Sequence, residues 1–160
     1  MERRPLSLLF RTARLIAGLS IAGCISVAQA QPDDHTGIDL VGINMSGANF
    51  APHITPGKVG TNYFYPEEKY FEYYASKNIR LIRFPFIWER LQHDLYKGVN
   101  FDQMRLLKRT LDFAAKHNQK VILDMHNYGR YKGKLIGSPQ VPYEAYATVW
   151  RKLAQEFKDH

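Results

Sequence analysis

At 160 residues, with 45% apolar and 13% aromatic side chains, the chain can bury a sizeable core and carries none of the compositional marks of disorder. Its formal charge of +7 is raised by Arg3, Arg4, Arg11 and Arg14; without these and Glu2, 18 basic and 14 acidic residues remain, a net +4 spread along the chain. That spread describes an ordinary solvated surface and argues against nucleic-acid binding, which favours a concentrated basic stripe.

The first 30 residues read as an export signal, with a basic start, an apolar run from Leu15 to Val27, and Ala28-Gln29-Ala30 as a small-x-small cleavage site. The run falls short of the roughly 20 apolar residues that span a bilayer. Cleavage before Gln31 sends the protein to the extracellular space. A second reading competes, because Ile21-Ala22-Gly23-Cys24 resembles a bacterial lipoprotein signal that would place lipid on Cys24 and leave an outer-membrane lipoprotein. Arg3-Arg4 is a weak twin-arginine hint. Cys24 is the only cysteine, so the mature segment is expected to have neither disulfide nor thiolate metal site.

Residues 31–38 are polar and form a lead-in. Leu40 to Met45 is a short apolar run predicting a first strand, followed by a loop through Ser46-Gly47-Ala48-Asn49. Pro52, Pro56, Gly57 and Gly60 forbid a long regular element over 50–65. The aromatic end of that loop, Tyr63-Phe64-Tyr65, could stack on a ligand or cover the first helix. Pro66 suits the first turn of a helix with Glu67 and Glu68 at its positive end and Lys77 at its negative end. Tyr70, Phe71, Tyr74 and Ala75 share one face of it, and Asn78 stops it. Ile79 to Phe86 is the second strand, with Arg83 on the same face as Ile79 and Leu81.

After a loop from Trp88 to Asn100, Asp102 is placed to cap a helix whose apolar face is Met104, Leu107, Leu111, Ala114 and Ala115. Asn118 closes it, about 40 residues after Asn78, a plausible length for a βα repeat. Val121-Ile122-Leu123 then gives way to Asp124-Met125-His126-Asn127-Tyr128, as a buried parallel strand does on leaving a core, and glycine-bearing loop residues follow. A last helix starts near Pro142 and aligns Tyr146, Val149, Trp150, Leu153, Ala154 and Phe157 on one side. The order β-α-β-α-β-α predicts an α/β fold with a parallel sheet. Three strands cannot close, whereas a (β/α)8 TIM barrel takes about 250 residues, so residues 39–160 read as the first three βα units of an incomplete barrel.

Three stretches carry a resemblance: Gly42-Ile43-Asn44-Met45-Ser46-Gly47-Ala48-Asn49-Phe50, Arg83-Phe84-Pro85-Phe86-Ile87-Trp88-Glu89-Arg90-Leu91 and Asp124-Met125-His126-Asn127-Tyr128-Gly129-Arg130-Tyr131. They resemble successive motifs of glycoside hydrolase family 5, above all its secreted endo-β-1,4-glucanases (cellulases). The resemblance implies retaining hydrolysis of β-1,4-glucosidic bonds of cellulose without cofactor. It assigns the work to two glutamates, acid/base and nucleophile, with carboxyls about 5 to 5.5 Å apart. Both are expected beyond residue 160, so that the 160-residue chain alone is inactive. Within the chain it implies supporting roles for Arg83, as a clamp on the nucleophile, and for His126, which lines the cleavage subsite. It also implies sugar contacts from Asn44, Asn127, Tyr128, Tyr131 and Trp88. The expected partner is a β-glucan polysaccharide or its oligosaccharides, with mannan or xylan as alternatives, and the full-length protein is expected to be a monomer.

Structural roles stand beside these. Arg83 could form an ion pair with Asp124, His126 could be a core histidine, and Trp88 could pack beneath its loop. Glu89, just past the strand end, reads as a surface or helix-capping residue. A carbohydrate-binding protein without catalysis is the alternative from another class. The six histidines show no ligand spacing and no glycine-rich phosphate loop follows any strand, so no metal and no nucleotide is expected.

Overall fold

Three strands, β1 (Gly42–Asn44), β2 (Leu81–Phe86) and β3 (Lys120–Met125), pair in parallel in the order β1-β2-β3 in the computed structural model, which describes residues 40–160. The export signal, lipidation at Cys24 and the lead-in over 31–38 fall outside the described residues. The register aligns Asn44 with Arg83, and Phe86 with Met125. Because side chains alternate along a strand and paired residues of a parallel sheet share a face, Asn44, Arg83, Asp124 and His126 lie on one side and Ile82, Phe84 and Phe86 on the other.

That second side is the core. Ile82, Phe84 and Phe86 are fully buried against α1 (Glu68–Ser76), α3 (Phe101–Lys116) and α4 (Tyr143–Glu156), with Phe71, Leu107, Val149 and Leu153 as the helical partners. Each large side chain so buried contributes roughly 1.5 to 3 kcal/mol. Ile122, on the opposite side, is half exposed. At the edge of the sheet, Gly42 is required by close approach, since a Cβ there would stand 2.8 Å from the Leu81 carbonyl oxygen.

The α/β reading and the three βα units therefore hold, with local corrections. The cap of α3 is Asn100, whose side chain accepts from Gln103 N–H; Asp102 lies inside the first turn. Ala115 and Ala154, placed on apolar faces by periodicity, are exposed, and Tyr70 is nearly half exposed. Asn78 and Asn118 do end their helices, with φ of 58° and 54°. Of the three rings at the end of the first loop, Tyr63 is buried and Tyr65 packs on Phe84 at 5.6 Å, while Phe64 is 48% exposed and lines a cleft with Tyr65, Tyr70 and Tyr74.

Two elements had no expectation. A single helical turn, α2 (Trp88–Leu91), follows β2, and a two-stranded antiparallel hairpin, β4 (Arg130–Tyr131) and β5 (Lys134–Leu135), follows β3. Both lie beyond the C-terminal ends of the strands, where a βα fold places its functional loops.

Candidate active site

The polar residues of the inner sheet side converge at the C-terminal ends of the strands. Arg83 Nη1 donates to Asn44 Oδ1 at 2.5 Å, and Nη2 donates to Asp124 Oδ2. His126 Nδ1 lies 2.9 Å from the same carboxylate oxygen and 3.1 Å from Arg83 Nη2. A carboxylate only accepts, so Nδ1 carries the imidazole proton and Nε2 is left as the acceptor. Tyr128 meets it from the other side, its hydroxyl donating to Nε2 at 3.0 Å and its ring 4.6 Å from the imidazole. Asn44 is itself oriented by a 2.8 Å bond from Nδ2 to Ser46 Oγ.

These groups remain accessible. The Arg83, Asp124 and His126 side chains keep 39%, 26% and 27% of their exposure, and Tyr128 keeps 80%. The arrangement offers a solvent-facing guanidinium, an imidazole of fixed tautomer and a phenol, side by side. Such a surface can hold an anionic carboxylate and hydrogen-bond a hydroxyl-rich ligand.

Of the residues expected at the sugar, Trp88 and Tyr131 are buried and Asn127 is partly buried. Trp88 is fully buried, 4.6 Å from the Tyr131 ring and 5.8 Å from that of Tyr146, and its indole N–H donates to Gln92 at 3.1 Å. Tyr131 is also buried, its hydroxyl donating to the Gln92 and His93 carbonyls. Burial, with the Glu89 and Asp94 charges adding to it, pushes the Tyr131 phenol pKa above its ordinary value. Asn127 is tied to its loop: Oδ1 accepts from Trp88 N–H at 2.8 Å and Nδ2 donates to Glu89 at 2.6 Å. Ion pairing of Arg83 with Asp124 is present, as the residues alone suggested.

Glu89 is the residue the sequence hid. It is 8% exposed rather than on the surface, and its carboxylate accepts from Asn127 Nδ2 and Lys132 N–H, each at 2.6 Å. Its neighbour Arg90, 3% exposed, donates to the carbonyls of Ala48, Phe50 and Ala51 at 2.7, 2.6 and 2.8 Å and stacks 4.0 Å above the Tyr63 ring. Desolvation lowers the Arg90 pKa, with Tyr63, Tyr65 and Glu89 opposing it. Side chains from one helical turn therefore hold both loops that flank the site. The only advance signal was the position of Glu89 and Arg90 in the strand-two motif.

Residues 35–160 match the model of the cellulase family, glycosyl hydrolase family 5. The chain belongs to that family. Within glycosyl hydrolase family 5 it is similar to the endoglucanase Cel5A of Pseudomonas stutzeri, whose crystal structure is 72% identical with a TM-score of 0.75 over 79% of this chain and 40% of that one. An endo-β-1,4-glucanase from Xanthomonas axonopodis pv. citri matches at 44% identity and TM-score 0.74, over 77% of this chain and 39% of that one. Among curated relatives, a probable endo-β-1,4-glucanase B of Aspergillus oryzae is 31% identical over 91% of this chain and 42% of its own length. The chain thus spans about two fifths of the relatives it matches, and its fold is that of the first part of their TIM barrel.

Proposed function

We propose that this chain is the N-terminal part of an endo-β-1,4-glucanase that hydrolyses internal bonds of cellulose with retention of configuration. The observation that carries the reading is the cluster of Arg83, Asp124, His126 and Tyr128 at the strand ends, in a family whose Pseudomonas stutzeri member has been crystallised with cellobiose and whose Xanthomonas member with cellopentaose. Two glutamates contributed from beyond residue 160 supply acid/base and nucleophile. Arg83 holds the nucleophile ionised: a guanidinium within hydrogen-bond reach favours the charged carboxylate and opposes its protonation. Asp124 and Asn44 hold Arg83 in place meanwhile. His126, with its Nδ1–H on Asp124, and Tyr128 line the sugar beside the scissile bond. Export before Gln31, or anchoring through Cys24, delivers the enzyme to its polymer.

The test is hydrolysis of a soluble cellulose derivative, with the anomer of the first product read by NMR. The full-length protein is expected to release the retained anomer, and a purified 31–160 fragment to release nothing above a blank. Activity of the fragment, inversion, or a full-length protein that cuts mannan or xylan but not glucan would overturn the reading.

A further inference from the structure

We propose that Glu89 is a positioning residue of this glycosidase that acts through Tyr128, an inference that rests on the functional reading above. Tyr128 is 80% exposed, so packing does not hold its ring over His126. Its placement comes from its backbone, which is left-handed at Tyr128 (φ 49°), Gly129 (φ 70°) and Lys132 (φ 45°). Side-chain-bearing residues avoid that region unless neighbouring bonds impose it. Arg130 N–H to the Asn127 carbonyl and Ile136 N–H to the Gly129 carbonyl, each 2.9 Å, close the loop on itself, and Glu89 anchors it from outside: Oε2 takes Asn127 Nδ2 just before Tyr128 and Oε1 takes Lys132 N–H. The third bond with α2, Trp88 N–H to Asn127 Oδ1, closes a ring between α2 and residues 127–132.

Only a carboxylate satisfies this ring. Both partners of Glu89 are donors, and Asn127 cannot turn its amide over, because Oδ1 is already committed to Trp88 N–H. Glu89→Gln, although nearly isosteric, therefore points an NH2 at a donor and loses one bond. Moving the carboxylate restores the pattern. In the double variant Glu89→Gln with Asn127→Asp, the new aspartate accepts from Trp88 N–H and from the glutamine amide, and the glutamine oxygen accepts from Lys132 N–H.

The experiment uses the full-length protein, soluble cellulose derivative and peptide-level hydrogen exchange. E89Q should speed amide exchange over 128–132 and lower kcat/KM about tenfold, and E89Q/N127D should restore both. In a Tyr128→Ala background E89Q should change kcat/KM less than about twofold, since its route to the substrate is gone. A tenfold loss persisting without Tyr128 would overturn the inference, as would unaltered exchange in E89Q or a double variant no better than the single one. Wild-type protein inert on β-1,4-glucans would instead overturn the functional reading, whereas active wild type with fully active E89Q overturns this one alone.

Discussion

Replacing Arg90 by methionine isolates the other half of the α2 brace. The guanidinium makes three bonds of 2.8 Å or less to loop carbonyls and lies 4.0 Å over Tyr63. Hydrogen bonds to a charged group are worth about 1.5 to 3 kcal/mol each, and the lower figure applies because Phe50 is 48% exposed and its carbonyl can return to water. Three such bonds and the ring contact sum to about 5 to 6 kcal/mol. Methionine keeps the apolar stem and removes the desolvation cost of a 97%-buried cation, returning about 2 kcal/mol. A net loss of about 3 to 4 kcal/mol follows, or a fall in Tm of roughly 6 to 16 °C for a domain of barrel size. Calorimetry on the full-length protein, with limited proteolysis between residues 48 and 60, measures both the loss and its location. Arg90→Lys should lie between, since an ammonium cannot match the fork. An R90M protein with unchanged Tm and an equally resistant loop would refute the reasoning, and would mean that the cation's burial cost cancels its bonds.

Tyr128→Phe removes only the hydroxyl on His126 Nε2. At this exposed position stability should change by less than about 0.5 kcal/mol in urea unfolding, while kcat/KM on cellulose derivatives falls several-fold. Asp124→Asn keeps an oxygen for Arg83 and His126 but removes the charge that pairs with the guanidinium, so kcat/KM should drop about 10- to 100-fold on cellulose derivatives. Tyr63, Tyr65 and Tyr131 all have phenol pKa values raised by burial. A raised folded pKa means stability is intact below the unfolded value of about 10 and is lost as pH climbs above it. Urea midpoints should accordingly fall between pH 10 and 11. Tyr131→Phe, less stable at neutral pH, should show a shallower fall, and an identical slope would count against the assignment.

Much of the scaffold was legible because its signals are periodic or steric. Ile82, Phe84 and Phe86 alternate with Arg83 and Pro85, and Val149 and Leu153 recur at helical spacing, so the buried side of each element follows from the order of residues. Asn78 and Asn118 end helices because asparagine tolerates the left-handed region. The hairpin was not legible, since two-residue strands carry no alternation; its one cue is Lys132-Gly133, the residue-plus-glycine pair of a tight turn with φ of 45° and 76°. The site divided along the same line. Arg83, Asp124 and His126 share a parity on neighbouring strands, so topology brings them together. Trp88, Asn127 and Tyr131 sit in motif positions too, but their orientation depends on the turn at 128–132 and on α2, neither of which has a local pattern. An aromatic or amide in a motif can thus serve the ligand or the loop that holds the ligand, and burial decides which.

The chemistry and the positioning are consequently separated in sequence as well as in space. Strand residues bear the groups that face the cleft, while the turn after β2 bears the groups that fix its walls. That turn puts a buried anion beside a buried cation without pairing them to each other: Glu89 turns to the amides of the β3 loop and Arg90 to the carbonyls of the β1 loop. Backbone donors require an acceptor and backbone carbonyls a donor, so each loop selects its own sign of charge. Adjacency also limits the cost. Each charge lowers the penalty for burying the other, which is the sense of the Glu89 contribution to Arg90, and the pair enters the interior with no net charge. A neutral pair of braces could satisfy fewer backbone groups per residue, and Gln or Lys at either position loses a bond for that reason. Each loop has one or more side chains packed in the core, Ala48 and Tyr63 from one and Tyr131 from the other, while its left-handed backbone is tied down by polar bonds, and two adjacent, oppositely charged side chains supply these to both loops from one helical turn.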